Sequence, residues 1–413
     1  MYSFDTPQTI ADYLLLEDKY NAHNYHPLPV VLKRGEGVFC WDIDDKRYFD
    51  FLSGYSAVNQ GHCHPKIIEA LTKQAAELTL TSRAFYNNQL GPFAQFITRY
   101  FGYDKVLPMN TGVEAVETAI KLCRKWAYEK KGIPENQANI IVFEENFHGR
   151  TSTVISFSTD PASKSNFGPF MPGFIIVPYN DAEALKKNIT QPNIAGVLIE
   201  PIQGEAGVIV PDQGYLAQVA ALCKEAGVLF IADEIQTGLG RTGRKLACDH
   251  EEVRPDILIL GKALSGGVLP ISAVLADDDI MMNIKPGQHG STFGGNPLAC
   301  AVAKVALEVV EAEGLANNAE LMGQHFRKKL AELKNPHLKT IRGKGLLNAI
   351  VIEHPDTNAA WNLCLAMKDQ GLLAKPTHGD KIRLAPPLCI TKKQIEDSVD
   401  IIKRSLDIFM EYK

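Results

Sequence analysis

The sequence lacks a strong charge of either sign. Its 413 residues include 43 lysines and arginines and 48 aspartates and glutamates, for a net charge of −5, and basic pairs such as Arg124-Lys125 are short. We therefore expect no nucleic-acid partner and no anionic membrane surface. The sequence also has no apolar run near the ~20 residues that a membrane-spanning helix needs. Its length predicts two domains.

The eight cysteines lack the C-x-x-C spacing of a zinc or redox site. They lie at positions 40, 63, 123, 223, 248, 300, 364 and 389. Cys123 and Cys223 fall in apolar stretches, where a buried thiol is the simplest interpretation. The pair His62-x-His64 is two ligands short of a zinc site and precedes Pro65, so we interpret it as structural and expect no metal. A reducing compartment fits these features.

The beginning of the chain lacks a recognisable targeting signal. A secretory signal begins with basic residues and an apolar run, and a mitochondrial leader is rich in arginine and poor in acids. Here four acidic residues and no basic residue precede Lys19: Asp5, Asp12, Glu17 and Asp18. We therefore expect a cytoplasmic protein.

The middle of the sequence contains short apolar runs separated by helical patterns. Runs without polar alternation are typical of strands that are buried on both faces of a mostly parallel sheet. Five such runs occur, at 140–143, 174–177, 196–199, 228–232 and 256–260. In an α/β sheet of this kind, ligands bind beyond the carboxyl ends of the strands. Glu200, Asp233, Gln236 and Lys262 stand at or near those predicted ends.

The outer parts of the sequence have a different pattern. Residues 38–42 alternate as in a small antiparallel element, and helical and strand-like patterns follow residue 300. We therefore predict a large domain at 53–298 and a smaller α+β domain built from both termini. Its N-terminal segment would be 1–52, and its C-terminal part 299–413.

Two segments are suited to an anion. Asn-Thr-Gly-Val-Glu-Ala at 110–115 opens a predicted helix, where free backbone N–H groups favour a phosphate, although the same residues often serve as ordinary helix caps. The segment 289–297 is rich in hydroxyls and glycines. It could bind an anion or simply turn the chain.

Asp233 and Lys262 each follow a predicted strand. An aspartate there can bind a metal, a ribose hydroxyl or a protonated heterocycle, or cap a helix. A lysine there is unusual, because burial is costly for an ammonium, lowers its pKa and suits it to Schiff-base formation. The alternative is a side chain that extends to solvent. A phosphate site, an acid for a pyridinium and an amine for an aldehyde are what pyridoxal 5'-phosphate requires.

Over nearly its whole length the sequence resembles the class-III aminotransferases, which are fold-type-I pyridoxal-phosphate enzymes, and within them those that act on ornithine. The matching runs are long: 24–29, 56–62, 110–115, 200–205, 233–238, 261–267, 371–379 and 382–387. The resemblance implies an α/β fold-type-I transferase fold, bound pyridoxal 5'-phosphate and a homodimer. Animal members begin with a mitochondrial leader that this sequence lacks, which puts the compartment in doubt.

The resemblance also implies roles for the cofactor residues. Lys262 would bind the cofactor covalently and then move protons, Asp233 would keep the ring nitrogen protonated, and Phe147 would stack on the ring. Gln236 would donate to the ring hydroxyl. The phosphate would be held by Gly112 and Val113, together with Ser291 and with Thr292 from the partner subunit.

For the substrates, the resemblance implies that L-ornithine gives its δ-amine to 2-oxoglutarate. The products would be L-glutamate 5-semialdehyde and L-glutamate, which feed proline and glutamate metabolism. Tyr25 and Arg150 would anchor the far end of ornithine, and Tyr55 would shape the pocket. Glu205 would neutralise Arg383 until 2-oxoglutarate or glutamate binds.

Three alternatives stay open. The nearest is an aminotransferase for N-acetylornithine or 4-aminobutyrate, which Tyr25 and Tyr55 together disfavour. An isomerase of the same fold would need no 2-oxo-acid acceptor. A pyridoxal-phosphate-binding regulator without activity is disfavoured by the complete set of Lys262, Asp233 and Arg383.

Overall fold

A computed structural model describes residues 7–411 of the chain. Asp5 and the other residues of 1–6 and 412–413 lie outside this range, as do the extreme ends of the predicted domain segments. The strands are β1 (Leu32–Glu36), β2 (Phe39–Asp42), β3 (Arg47–Asp50), β4 (Lys105–Met109), β5 (Asn139–Phe143), β6 (Phe174–Val177), β7 (Ile194–Ile199), β8 (Leu229–Asp233), β9 (Ile257–Leu260), β10 (Ser272–Ala276), β11 (Leu338–Lys344), β12 (Leu347–Ile352), β13 (Leu372–Leu373), β14 (Lys375–Thr377) and β15 (Lys381–Leu384).

Helical segments cover the sheets. They are α1 (Ile10–Tyr20), α2 (Ser53–Ser56), α3 (Pro65–Glu77), α4 (Leu90–Phe101), α5 (Gly112–Trp126), α6 (Ser152–Ser156), α7 (Pro161–Lys164), α8 (Ala182–Ile189), α9 (Tyr215–Ala226), α10 (Asp278–Met281), α11 (Pro297–Ala312), α12 (Leu315–Glu332), α13 (Ala359–Asp369) and α14 (Lys392–Glu411). Helix α5 continues as a π-helical turn at Ala127–Lys131, and 3₁₀ turns occur at Cys248–Glu251 and Lys262–Ser265. None of the helices within residues 7–411 is both long enough and apolar enough to cross a membrane.

A seven-stranded sheet forms the centre of the molecule, in the order β4-β10-β9-β8-β7-β5-β6. All neighbouring strands pair in parallel except β10, which is antiparallel to both β4 and β9. Each of the five apolar runs forms a strand of this sheet, and every residue of β7, β8 and β9 is buried. The expected mostly parallel α/β sheet is confirmed. Its parallel strands bring Glu200, Asp233 and Lys262 to one edge.

Two four-stranded sheets lie beside it, β1-β2-β3-β13 and β11-β12-β15-β14. Strand β13 pairs in parallel with β3, with Leu372 opposite Phe49, so chain segments from the two ends of the sequence share one sheet. One apolar core includes Phe51 from the N-terminal part and Phe326 and Ile402 from the C-terminal part. These contacts support the proposal that both termini build one small domain.

The turn α2 is left-handed. Its four residues have φ values of +51°, +56°, +60° and +70°, and such a conformation costs a non-glycine residue roughly 1–2 kcal/mol. Asp50 offsets part of this cost, because its Oδ1 accepts hydrogen bonds from the backbone N–H groups of Leu52 and Ser53, both at 2.8 Å. Tyr55, predicted to shape the pocket, therefore extends from a strained turn.

Candidate active site

A cavity of about 260 Å³ lies at the edge of the central sheet where Asp233 and Lys262 stand. Most of the residues predicted to bind the cofactor surround it. The lining residues are Gly112, Val113, Phe147, His148, Gly149, Glu200, Glu205, Asp233, Ile235, Gln236, Thr237 and Lys262. A neighbouring cavity of about 230 Å³ shares Phe147 and Glu205 with the first and contains Arg150.

Lys262 presents its amine to the first cavity from the start of a 3₁₀ turn. The Nζ atom of Lys262 forms no hydrogen bond or ion pair with any residue that the structure describes. Burial lowers the pKa of Lys262, although the charges of Glu205 and Asp233 oppose this effect, so the neutral amine is more accessible than in an exposed lysine. Its backbone φ of +44° is strained, as is common where structure fixes a reactive group.

Asp233, the last residue of β8, has a buried partner that the sequence analysis missed. His148 Nδ1 lies 2.7 Å from Asp233 Oδ2, and His148 is 4% exposed. Burial alone would lower the pKa of His148, but the hydrogen bond and charge of Asp233 raise it, so Nδ1–H donates to the carboxylate. The available signal was the position of His148 directly after Phe147, the predicted stacking residue. It was not used.

Glu200 stands beside this pair at the end of β7. Its Oε1 accepts a hydrogen bond from the backbone N–H of Phe147 at 2.8 Å. Burial raises the pKa of Glu200 to about 7, helped by the negative charge of Asp233 and opposed by His148. Two carboxyl groups in one buried site thus differ in environment, because only Asp233 is hydrogen-bonded to the histidine.

The start of α5 leaves two backbone N–H groups free. Thr111 Oγ1 accepts from Glu114 N at 3.4 Å, and Glu114 Oε2 accepts from Asn110 N and Thr111 N at 2.9 and 2.8 Å. This capping box leaves the N–H groups of Gly112 and Val113 without a partner among the described residues. They lie at the positive end of the helix dipole, which suits a phosphate.

Gly149 permits the backbone of its loop to lie close to Val113 at the start of α5. A Cβ on Gly149 would lie 2.5 Å from Val113 Cγ2, and the φ of Gly149 is +123°. Any side chain there would be strained and would displace Val113. The open space in front of Gly112 and Val113 therefore depends on residue 149.

The two predicted substrate arginines, Arg150 and Arg383, differ in whether an acidic side chain pairs with them. Arg150 donates to Ser163 Oγ at 2.7 Å, and Ser163 in turn donates to Asp160 Oδ2 at 2.7 Å. Among the described residues Arg150 forms no ion pair, so a hydroxyl orients its guanidinium without neutralising it. The guanidinium also lies 5.5 Å from the centre of the Phe147 ring.

Arg383, in contrast, is neutralised. Its Nη1 lies 2.6 Å from Glu205 Oε1, its side chain is 2% exposed, and its guanidinium is 5.0 Å from the Tyr55 ring. Burial alone would raise the pKa of Glu205, but Arg383, with a contribution from Lys262, lowers it. Gln236 Nε2 lies 3.3 Å from the same Glu205 oxygen. The predicted pair is in contact, and its separation would leave Arg383 buried without an anion unless another one replaced Glu205.

Six of the predicted site residues do not line the first cavity. Arg150 lines the second cavity, Arg383 pairs with Glu205, and Tyr55 lies beside Arg383. The other three are Thr292, Ser291 and Tyr25. Thr292 is exposed, and Ser291 Oγ accepts a hydrogen bond from Asn110 Nδ2 at 2.7 Å. Tyr25 is 72% exposed, with Lys375 Nζ 5.9 Å from its ring centre. The roles of all three stay predictions.

These residues fit pyridoxal 5'-phosphate. The cavity offers an unpaired amine at Lys262 for the aldehyde and a buried carboxylate at Asp233 for the ring nitrogen. The free N–H groups of Gly112 and Val113 suit the phosphate. Phe147 lines the space that the ring would occupy.

Comparisons with known proteins agree with this fit. The family model described as aminotransferase class-III matches residues 20–406. The mitochondrial ornithine aminotransferase of Rattus norvegicus is 62% identical over 390 residues, which cover 94% of this chain and 89% of that one. A structure of Toxoplasma gondii ornithine aminotransferase, described with partial occupancy of PLP at its active site, is 50% identical with a TM-score of 0.96 and coverage of 98% and 95%. A structure described as acetylornithine aminotransferase from Elizabethkingia anophelis is 58% identical with a TM-score of 0.90 and coverage of 97% and 100%. The chain therefore belongs to the class-III aminotransferases, and within them to the group of ornithine aminotransferases.

Proposed function

We propose that this chain transfers the δ-amino group of L-ornithine to 2-oxoglutarate, giving L-glutamate 5-semialdehyde and L-glutamate. The observation that carries the proposal is the contrast between its two arginines. Arg150 is positively charged and unpaired, whereas Arg383 is neutralised by Glu205. The two substrates of this reaction differ in the same respect, because only the acceptor carries a carboxylate next to its reacting carbon.

With ornithine, Arg150 would bind the carboxylate at the far end of the donor. This leaves the δ-amine, which has no neighbouring carboxylate, directed toward Lys262. Glu205 meanwhile compensates the positive charge of Arg383, so the approaching amine meets no unpaired cation. Tyr55 is held in the left-handed turn beside Arg383, and we expect it to limit the width of the pocket at this point.

With 2-oxoglutarate, two carboxylates enter. The one next to the reacting carbon would replace Glu205 on Arg383 in a bidentate pair, which arginine forms better than lysine. The distal one would bind Arg150. One cavity thus serves two substrates through the exchange of a single ion pair.

Pyridoxal 5'-phosphate, when bound, supplies an electron sink for the carbanion that forms at the substrate carbon. The residues of the chain supply the rest. Lys262 Nζ, whose burial favours the neutral amine, accepts and returns the proton at that carbon. Asp233 holds a negative charge toward the ring nitrogen, and His148 stabilises that charge. Gly112 and Val113 anchor the phosphate.

We also propose a homodimer in a reducing compartment such as the cytoplasm. Thr292 is exposed and does not line its own cavity, which supports the idea that it reaches the phosphate of the partner subunit. All eight cysteines are free and six are buried, which suits a reducing environment.

An absorbance spectrum of the purified holoenzyme tests the donor and the half-reaction together. L-ornithine without acceptor should abolish the visible band of the bound cofactor, and 2-oxoglutarate should restore it. Lys262→Ala should lack this response. A wild-type band that ignores ornithine would refute the proposed donor, and turnover without any 2-oxo-acid would indicate an isomerase.

N-acetylornithine is the second candidate donor, because the Elizabethkingia anophelis structure carries that description at 58% identity. An acetyl group enlarges the α-amine and removes its charge, and the predicted roles of Tyr25 and Tyr55 would leave little room for it. We expect kcat/KM for ornithine to exceed that for N-acetylornithine by at least about tenfold, and Tyr55→Val to narrow this ratio. If Tyr55→Val keeps the donor preference of the wild type, Tyr55 does not set the specificity.

A further inference from the structure

A second cluster of reactive side chains lies on the small N-terminal sheet, outside both cavities. It consists of Cys40, Asp50 and His62. His62 Nε2 is 3.3 Å from Cys40 Sγ and 2.7 Å from Asp50 Oδ2. All three ligand atoms lie within 4.8 Å of one another. One sulfur, one nitrogen and one oxygen thus lie close enough together to share one ion.

Hydrogen bonding does not fully satisfy this cluster. Both contacts of His62 use the same ring nitrogen, which carries either one proton or one lone pair. If Nε2–H donates to Asp50, it has no second proton for Cys40, and if Nε2 accepts from the thiol, it repels the carboxylate. The arrangement also differs from a nucleophilic triad, where the acid and the thiol contact opposite ring nitrogens. A cation between the three groups would satisfy all of them at once.

The backbone holds each of the three groups in place. Cys40 lies in β2 opposite Tyr48 of β3. His62 pairs with Gly37 through two backbone hydrogen bonds of 2.8 and 3.1 Å. The Oδ1 atom of Asp50 is occupied by the N–H groups that precede and begin α2, which directs Oδ2 toward His62. Supporting contacts of this kind are typical of carboxylates that ligate metals.

We propose that Cys40, Asp50 and His62 bind one Zn²⁺ ion, with water in the fourth position. Thiolate, imidazole and carboxylate are the ligands that Zn²⁺ takes in proteins. Tetrahedral coordination places sulfur and nitrogen roughly 3.5 Å apart and nitrogen and oxygen roughly 3.3 Å apart. The distance of 3.3 Å between Cys40 Sγ and His62 Nε2 nearly meets the first value. The distance of 2.7 Å between His62 Nε2 and Asp50 Oδ2 would have to lengthen slightly to meet the second. The side chain of His62 is 22% exposed, so water and the ion have access.

This proposal revises the expectation of no metal from the His62-x-His64 pair. His64 does not take part, since its Nε2 contacts Glu313 Oε1 at 3.0 Å. The ligands that complete the set, Cys40 and Asp50, come from two neighbouring strands. No spacing of histidines alone could have indicated them.

Binding requires that the ion replace the thiol proton. Burial raises the pKa of Cys40 to about 12, and the charge of Asp50 adds to this effect, so the free site holds a thiol whose proton passes to solvent when the ion binds. The ion would also fix Asp50, which supports the left-handed turn of Tyr55. Occupancy would therefore stiffen one wall of the substrate pocket from outside it.

Cobalt binding to the chelator-treated holoenzyme tests the site, because tetrahedral thiolate-bound Co²⁺ absorbs in the red, away from the cofactor. We expect one Co²⁺ per chain, displaced by Zn²⁺, with a thiolate charge-transfer band. The variant Cys63→Ser/Cys389→Ser removes the two cysteines that are not buried and should keep both signals. Cys40→Ser should weaken binding by more than about 100-fold, beyond the 10–100-fold typical of losing a supporting contact.

Three results would overturn the proposal: no uptake by the wild type, loss of the signals in Cys63→Ser/Cys389→Ser, or unchanged affinity in Cys40→Ser. The first two do not depend on whether a variant of the buried cluster folds. As a second readout, Zn²⁺ should raise the Tm of the wild type and of Cys63→Ser/Cys389→Ser, because it binds only the folded state. It should leave the Tm of Cys40→Ser unchanged.

Discussion

At the scale of single residues, the site is a set of buried charges whose partners differ. Asp233 is hydrogen-bonded to His148, burial raises the pKa of Glu200, and the charge of Arg383 is neutralised by Glu205. Each of these states follows from burial together with the nearest charged group. Replacing one partner should therefore change one half-reaction of the enzyme, or its stability within one range of pH.

Glu205→Gln tests the ion pair. The amide keeps the size of the side chain but no longer neutralises Arg383, so the carboxylate of 2-oxoglutarate has no competitor. We expect kcat/KM for 2-oxoglutarate to rise and that for ornithine to fall, each by about tenfold, the lower end of what a hydrogen bond to a charged group contributes. Single-turnover kinetics of the two half-reactions measure this. Glu353→Gln, in an exposed pair with Lys339, is the control, and equal changes in both half-reactions would contradict the exchange.

Glu200→Gln tests the raised pKa. Between the ordinary value of 4.5 and about 7, the folded state keeps a proton that the unfolded state has lost, so stability falls as pH rises through this window and then levels off. A glutamine side chain does not titrate, so the variant does not lose stability at this position as the pH rises. The Tm of Glu200→Gln relative to wild type should therefore increase from pH 5 to pH 8. The corresponding gain in the free energy of unfolding should be at most about 3 kcal/mol. A difference in Tm that does not vary with pH would argue against the raised pKa.

At the scale of elements, close packing of backbones fixes where helices lie on the sheets. Helix α12 approaches the turn between β11 and β12 so closely that a Cβ on Gly323 would lie 1.7 Å from Gly345 O. The neighbouring atom is backbone and cannot rotate away. Gly91 in α4 has nothing within 4 Å of the same position.

These two helical glycines predict opposite effects of alanine. Gly323→Ala should destabilise the protein by at least the ~1–3 kcal/mol of an overpacked core, while Gly91→Ala should stabilise it by about 0.5–1 kcal/mol through helix propensity. Thermal unfolding of both variants beside the wild type measures the difference. If Gly323→Ala unfolds at the wild-type temperature, α12 does not pack on this turn as described.

The sequence revealed those elements whose signal is local. The apolar runs of β7, β8 and β9 predicted buried parallel strands, because burial on both faces leaves no room for polar alternation. It did not reveal the left-handed α2, whose conformation depends on the Asp50 carboxylate. It also did not reveal the contact of His148 with Asp233, which joins residues 85 positions apart. Resemblance to a family supplied what periodicity could not, including the pair of Glu205 and Arg383.

At the scale of the whole molecule, exposed aromatic side chains predict a partner surface. Phe85 is 74% exposed, Tyr86 is fully exposed and Phe293 is 56% exposed. The loops that carry them are neighbours, since a Cβ on Gly295 would lie 3.1 Å from Leu90 Cδ1. A second copy of the chain is the partner that would also bring Thr292 to a phosphate.

Tyr86→Asp combined with Phe293→Asp should separate the proposed dimer. We expect the mass from light scattering to halve and the affinity for pyridoxal 5'-phosphate to fall by about tenfold or more, since each cavity would lose Thr292 of the other chain. Leu321→Asp, at a residue of α12 that is 51% exposed, is the control and should change neither. A wild type that is monomeric at micromolar concentration would refute the dimer.

The pairing of β3 with β13 also determines when the protein can finish folding during its synthesis. Leu372 must leave the ribosome before it can meet Phe49, and at ~5–20 residues per second this takes roughly 16–65 s after Phe49 has been made. Throughout that time β3 presents an unpaired edge and Phe51 lacks the later helices that cover it. Strand β3 and Phe51 therefore need protection from aggregation in the nascent chain, and chaperone binding to them should be greatest before residue 373 emerges.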